Sequence, residues 1–222
     1  MSQLSFTLDL PARQEDAPLF VKAISSATAA AVMVEHHYLH RKPGISLAVG
    51  LYQDNELIGA VTFGTPPSRH LQMSACPSDP SQVWELNRLW VQDGTPPNTE
   101  SWFISRALKL CPPRIIVSYA DTAWGHVGYV YRASNFHYFG WTDMDRKTPR
   151  YDYIPWTGGH TREAFRSGYS KKVRRKPKVR YWTVTGNRTD RKRLYAACGW
   201  PRLSWKELPP PTEPTRAVEA VA

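Results

Sequence analysis

The run Ile115-Ile116-Val117-Ser118-Tyr119-Ala120-Asp121 constrains the fold more than any other stretch of these 222 residues. It opens on three β-branched residues that favour a buried strand, and closes on serine, tyrosine and aspartate, which a core does not absorb without partners. Thr122-Ala123-Trp124-Gly125-His126 then turns the chain into Val127–Phe136, an aromatic segment with helical spacing. A strand that ends in polar groups and hands over to a helix is how α/β enzymes bring side chains to a cleft. Ser118 and Asp121 stand there as a hydroxyl donor and a general base, and Asp121 has the alternative role of capping the next helix.

The remaining periodicity predicts the sheet around that strand. Leu19–Ile24 reads as a strand, and Ser25 or Ser26 caps a helix from Ala27 to about His37. Ile45–Gln53 and Glu56–Gly64 pair across an Asp54-Asn55 turn, and Val83–Val91 alternates large apolar with polar residues. Ser101–Leu110 has helical spacing and stops at Pro112-Pro113, because proline cannot continue the hydrogen-bond ladder. Phe136–Trp141 and Val179–Thr185 are further strands, and Thr189–Ala197 is a short basic helix. The order β-α-β-β-β-α-β-α-β predicts an α/β (α+β) fold, a mixed, mostly antiparallel sheet flanked by helices. Residues 1–18 read as a loose arm, 19–159 as the catalytic domain, 160–207 as a basic extension packed on it, and 208–222 as a disordered Pro-rich tail.

The formal charge of +10 is unevenly placed. Residues 160–207 hold 15 Lys/Arg against 3 Asp/Glu, whereas the other 174 residues hold 14 against 16. Such a block, with aromatics interleaved, exceeds what solubility requires and points to a polyanion, nucleic acid ahead of a membrane surface. No apolar stretch reaches the length of a membrane span, and Met1 to Glu15 carries no export signal. Cys76, Cys111 and Cys198 are scattered without a Cys-x-x-Cys pair, which fits a reducing cytoplasm and argues against a disulfide frame or a zinc ribbon. The absence of a Gly-x-Ser-x-Gly elbow, a Walker loop and a dinucleotide fingerprint removes serine hydrolases, kinases and dehydrogenases.

Two further motifs carry chemistry. On a continuous helix, His36 and His40 of Glu35-His36-His37-Tyr38-Leu39-His40-Arg41-Lys42-Pro43 would share a face at metal-ligand spacing. The same cluster also suits a helix C-terminus, where cationic side chains satisfy carbonyls, or an acceptor-binding role. In Glu85-Leu86-Asn87-Arg88-Leu89, strict alternation places Glu85, Asn87 and Leu89 on one face and Trp84, Leu86, Arg88 and Trp90 on the other. Either face then holds a charge or an amide, as a cleft group or as a buried salt bridge.

Taken in order and approximate spacing, three motif groups resemble the Mom family of phage adenine-modification proteins, over about Leu19 to Trp205. They are His37-Tyr38-Leu39-His40 with Pro43 and Ile45-Ser46, Glu85-Leu86-Asn87-Arg88-Leu89, and Ser118-Tyr119-Ala120-Asp121 with His126-Val127-Gly128-Tyr129-Val130-Tyr131. The element order also resembles the GNAT acyltransferase fold, whose cleft opens where the fourth and fifth strands, here Val83–Val91 and Ile115–Asp121, splay apart. The resemblance implies a bacteriophage transferase in the host cytoplasm that converts adenine in DNA to N6-carbamoylmethyladenine and protects that DNA from host restriction. By position it implies His37, Tyr38, Asn87, Arg88, Ser118 and Asp121 as catalytic residues.

The chemistry suits those residue types. Adenine's exocyclic amine is a weak nucleophile because its lone pair is delocalised into the ring, so Asp121 or His37 must take a proton as the bond forms. The amine is stacked inside double-stranded DNA, so the base is expected to flip out and lie against aromatics, with Trp124 and Tyr129 as stacking candidates beside Tyr38. Arg41, Lys42, Lys171, Lys172, Arg174, Arg175, Lys176, Lys178 and Arg180 are the candidate nucleic-acid contacts.

The donor is less legible. A GNAT that binds coenzyme A usually carries a Gln/Arg-x-x-Gly-x-Gly/Ala loop after its fourth strand, whose amides cradle the pyrophosphate. Gln92-Asp93-Gly94-Thr95-Pro96-Pro97-Asn98-Thr99-Glu100-Ser101 offers one glycine, two prolines without amide donors and two acids, which counts against acetyl-CoA. A carbamoylmethyl product joins nitrogen to a CH₂, which plain acyl transfer does not reach in one step. An aminoacyl or glycine-derived donor, including one carried on RNA, and a metal-assisted step such as one using iron stay open. Two other readings stand beside this one: a GNAT-type N-acyltransferase of a small amine or aminoacyl substrate, and a non-catalytic nucleic-acid-binding protein on the same scaffold.

Overall fold

The structure, a computed structural model, describes residues 18–143, 147–155, 166, 168 and 170–207. The expected Pro-rich tail and all but the last residue of the expected arm lie outside the described residues. In chain order the elements are β1 (Phe20–Ala23), α1 (Ser26–Glu35), β2 (Leu47–Gln53), β3 (Glu56–Gly64), α2 (Arg69–Ala75), β4 (Val83–Val91) and α3 (Thr99–Leu110). There follow β5 (Ile115–Asp121), α4 (Tyr129–Ala133), β6 (His137–Trp141), β7 (Tyr151–Pro155), β8 (Ser170–Arg174), β9 (Lys178–Val184) and α5 (Arg188–Ala197).

Seven strands form one sheet in the order β1-β2-β3-β4-β5-β9-β6. All its neighbouring pairs are antiparallel except β4–β5. The local causes are readable. Ser25 accepts the Thr28 amide at 3.0 Å and starts α1. Asp54 and Asn55 take φ of 47° and 65°, the left-handed pair that a tight hairpin between twisted strands demands. β5 lies between two cores. Ile116 and Ala120 pack with Phe103, Ile104 and Ala107 of α3 and Tyr131 of α4 on one face. Ile115 and Val117 pack with Ala75 of α2, Leu194 of α5 and Trp182 on the other. A strand buried on both faces has no need of polar alternation, which is why its first half reads as an unbroken apolar run.

Two of the sequence-based expectations change. Within the expected extension of 160–207, Lys178–Val184 is not appended but forms β9, inserted in the sheet between β5 and β6 with Val179, Tyr181, Trp182 and Val184 buried there. Burying those four apolar side chains, at about 1.5–3 kcal/mol for each large one, makes this part of the basic block a core strand. The alternation along β4 is also broken. Phe63 pairs with Leu86 while Thr62 pairs with Arg88, leaving Asn87 as the extra residue of a bulge. Leu86 and Leu89 therefore share the core side, and Glu85 and Arg88 share the opposite side, which strict alternation had separated.

Candidate active site

β4 and β5 pair over only three positions, Val83↔Ile115, Trp84↔Ile116 and Glu85↔Val117, and then diverge. The gap opens into a cleft of about 810 Å³. Glu85, Asn87 and Arg88 line it from β4, Tyr119 and Asp121 from β5, and His37 and Tyr38 from the segment after α1. His126 and Tyr129 close one side, and Arg150, Arg175, Lys178 and Arg180 the other.

Ser118 lies at the vertex of this fork but does not line the cleft. It is 1% exposed, and its hydroxyl donates to the Leu86 carbonyl at 2.9 Å, just beyond the last strand pair. The expected hydroxyl donor is thus occupied in holding β4 to β5. Asn87 lines the cleft, yet its amide is also committed. Its Oδ1 accepts from the Thr62 hydroxyl at 2.6 Å, and its Nδ2 donates to the Gly44 carbonyl at 2.8 Å. That clamp ties the loop bearing His37 and Tyr38 to β3 and β4.

α1 ends at Glu35, so His36 and His40 do not share a helical face. His36 stacks on Trp90 at 4.4 Å, and His40, at φ 45°, places its Nδ1 2.9 Å from the Val34 carbonyl. Among the described residues no group of three His, Cys, Asp or Glu side chains is placed to hold a metal ion. His37 is turned inward and accepts the Leu39 amide at Nδ1, 3.1 Å away, which assigns the proton of the neutral ring to Nε2. Burial, and then the charge of Arg88 with His126 and His40, lowers its pKa from 6.5 to about 3. The ring is a neutral hydrogen-bond donor with its acceptor nitrogen already used, a poor general base.

Tyr38 lies between the His37 ring at 4.2 Å and the Trp124 ring at 4.8 Å, with His126 at 5.9 Å. Burial, followed by Asp121 and Tyr131, raises its phenol pKa, and Arg88 pulls the other way, so the hydroxyl keeps its proton. Trp124 packs against Tyr38 and is not among the residues lining the cleft, whereas Tyr129, 60% exposed, presents its ring at the mouth.

Asp121 is less available than its place at the strand end suggests. Its Oδ2 is 2.8 Å from Lys178 Nζ, and its Oδ1 accepts the Ala123 amide at 3.1 Å, capping the turn at Thr122–Trp124. Glu85 has the opposite character. Burial raises its pKa, with Arg88 and then Lys178 partly offsetting that, and among the described residues no hydrogen bond occupies its carboxylate. A carboxyl whose pKa is raised by burial at a cleft wall suits general acid–base chemistry. Arg88 stands beside it. Its Nη1 donates to the Asn87 carbonyl at 2.5 Å, and its buried Nε finds no partner among the described residues. Burial lowers the Arg88 pKa, and Tyr38 and Glu85 oppose that shift.

The sequence profile of the Mom protein family matches residues 18–194. The chain belongs to that family. It is 36% identical over 132 residues to "Methylcarbamoylase mom" of Escherichia phage Mu, a match covering 55% of this chain and 54% of that protein. The chain thus spans about half the length of this relative. Among solved structures it is similar to a GNAT family acetyltransferase from Bacillus cereus, with 12% identity and a TM-score of 0.45 over 77% of this chain and 100% of that one. A GNAT superfamily phosphinothricin acetyltransferase from Sinorhizobium meliloti gives 11% and 0.44, over 76% and 89%.

The loop between β4 and α3 is the segment whose sequence counts against a coenzyme A pyrophosphate. Asn98 caps α3 without a side-chain hydrogen bond, and the Thr99 amide and hydroxyl both turn back to the Pro96 carbonyl, at 3.2 and 2.7 Å. The Ser101 hydroxyl turns to Asn98 at 3.0 Å, and Glu100 brings a carboxylate to the cleft. Both Thr99 donors are turned back into the loop and the added charge is negative, which counts against a pyrophosphate here.

The expected nucleic-acid contacts divide into two sets. Lys42, Lys171, Lys172, Arg174 and Arg175 are exposed, and Arg41 and Lys176 are half-buried. Lys178 and Arg180 instead point into the cleft wall. Lys178 pairs with Asp121, and Arg180 donates to the Trp141 carbonyl at 2.5 Å with its guanidinium 4.3 Å from the Phe139 ring centre. Sequence reasoning missed Glu85, Tyr119, His126 and Arg150 as site residues. The signal for Glu85 was present as a carboxylate in mid-strand, but its face depended on a bulge set by β3.

Proposed function

We propose that the protein modifies DNA, transferring a carbamoylmethyl group to the N6 amine of an adenine flipped out of the duplex into the β4–β5 cleft. One observation carries this reading: a cleft walled by the raised-pKa Glu85 carboxyl is continuous with a cationic rim, Arg150 and Arg175, at the root of the most basic segment of the chain. Membership of the Mom family supports it. In this reading the protein works in the cytoplasm of a bacterial host, and the modified DNA resists restriction.

As the amine nitrogen bonds to the CH₂ carbon of the carbamoylmethyl group, that carbon's bond to the rest of the donor breaks and the donor departs with the electron pair. Glu85 takes the proton the amine loses, because Asp121 is ion-paired and His37 has no free acceptor nitrogen. Arg88 and the protonated Tyr38 hydroxyl hold and polarise oxygen atoms of the reacting group. Tyr129 stacks on the flipped base. No step runs through coenzyme A. The test is mass spectrometry of nucleosides from cells expressing the protein. A deoxyadenosine species heavier by one carbamoylmethyl group is expected, and it should vanish with Glu85→Gln while duplex binding persists. Deoxyadenosine unchanged in cells expressing the unsubstituted protein would overturn the proposal.

A further inference from the structure

β7 and β8 stand outside the main sheet as a two-stranded antiparallel ribbon. Its register is Tyr151↔Arg174, Asp152↔Val173, Tyr153↔Lys172, Ile154↔Lys171 and Pro155↔Ser170. Cross-strand partners share a face, as do alternate residues on one strand, so Tyr151, Tyr153, Lys172 and Arg174 form a single face. Tyr151 is 40% exposed on it, and Lys172 Nζ lies 4.2 Å from the Tyr151 ring centre. The root of the ribbon is fixed at the cleft. The Arg175 amide donates to the Arg150 carbonyl at 2.9 Å, and both residues line the cleft wall. Residues 150–155 and 170–176 hold six Lys/Arg against one acid, Asp152.

The dimensions and the chemistry choose one partner. Five residue pairs at about 3.3 Å per residue span roughly 16 Å, and a two-stranded ribbon is an element that the major groove of B-DNA, about 12 Å wide, admits. Adenine presents its N6 amine in that same groove. An element lying there brings the cleft to the side of the duplex on which the reacting atom is displayed. We infer that the β7–β8 ribbon enters the major groove of duplex DNA, with its cations on phosphates, and sets the cleft over the target adenine. This rests on the DNA-modification reading, but binding is measured without any modification occurring.

The experiment is dimethyl sulfate footprinting of the intact protein on a short duplex of mixed sequence. Protection of guanine N7, in the major groove, is expected; protection confined to adenine N3, in the minor groove, would overturn the inference. Double-stranded RNA, whose major groove is too deep and narrow for a ribbon, should compete poorly, and competition equal to that of duplex DNA would also overturn it. The variant Lys172→Ser with Arg174→Ser should lose about two phosphate contacts. Its log–log salt slope becomes shallower by about 1.8 and its affinity falls roughly thirtyfold at about 0.15 M salt. The matched change Arg191→Ser with Lys192→Ser on α5 should leave both values in place, and an equal loss there would move the DNA-binding element away from the ribbon. The footprint of the native protein decides the question even if the ribbon variant fails to fold. N7 protection with deoxyadenosine left unmodified would overturn the proposed activity and leave the ribbon assignment standing.

Discussion

Replacing Asn87 with alanine separates a structural clamp from a catalytic amide. The side chain makes two bonds, accepting from Thr62 at 2.6 Å and donating to Gly44 at 2.8 Å. Thr62 is fully buried, so its hydroxyl loses an acceptor that water cannot readily replace, a cost of about 1–3 kcal/mol. Gly44 is exposed, and water takes over there at a cost of a few tenths of a kcal/mol. The sum is about 2 kcal/mol, which lowers Tm by about 4–8 °C for a chain of this size. Asn87→Asp should be worse than alanine, because it places a carboxylate oxygen where an N–H now faces the Gly44 carbonyl. Urea unfolding of Asn87→Ala, Thr62→Val and the double variant gives the coupling directly, expected at about 1 kcal/mol. If Asn87→Ala abolishes DNA modification while its unfolding free energy stays within about 0.5 kcal/mol of native, the clamp argument fails and the amide acts on substrate.

Four other outcomes follow from single features of the site. The DNA-modification rate should rise with pH as Glu85, raised by burial, loses its proton; Glu85→Gln should remove that limb and lower the rate by about a hundredfold or more. His37 is neutral in the folded chain down to about pH 3 but titrates at 6.5 when unfolded, so between these values the unfolded chain binds the extra proton. Stability measured by urea unfolding should therefore fall as pH drops through that window, and His37→Asn should flatten the slope. Gly128 has φ of 88°, and a Cβ there would collide with the Tyr181 ring, so Gly128→Ala should cost roughly 2 kcal/mol or more in thermal unfolding. Tyr129→Ala should leave Tm unchanged and lower kcat/KM for duplex DNA about five- to hundredfold, the worth of one base stack of about 1–3 kcal/mol.

The elements whose cause is local were legible in the sequence. The Asp54-Asn55 turn, the proline stop after α3 and the two-faced burial of β5 each follow from a few adjacent residues. What was not legible depends on partners distant in sequence. The place of β9 between β5 and β6 rests on pairings between residues 38 to 69 positions apart, and nothing in Lys178–Val184 names its neighbours. The face of Glu85 and Arg88 depends on the Asn87 bulge, which only the register with β3 defines. The roles of Ser118 and Asp121 turned on who meets them: the Leu86 carbonyl in one case, the Lys178 ammonium in the other. Residue type marked both as polar groups needing partners, and the fold chose those partners.

On the proposed function, that choice bears on how catalysis by Glu85 and DNA binding would be coupled. Lys178 arrives from the basic block and satisfies Asp121, whereas Glu85, beside Arg88 on β4, is a cleft carboxyl without a hydrogen-bonded partner among the described residues. Arg88 and Lys178 hold its pKa below where burial alone would put it. Phosphates gathered at Arg150 and Arg175 act in the opposite sense, since a nearby negative charge disfavours the carboxylate and raises its proton affinity. Covering the cleft with duplex also removes water, which strengthens the same effect. The base therefore becomes stronger when DNA is in place, and the pH–rate profile of kcat should lie to higher pH than that of kcat/KM, which reports the free enzyme. Coincident profiles would show that the bound phosphates do not reach Glu85 electrostatically.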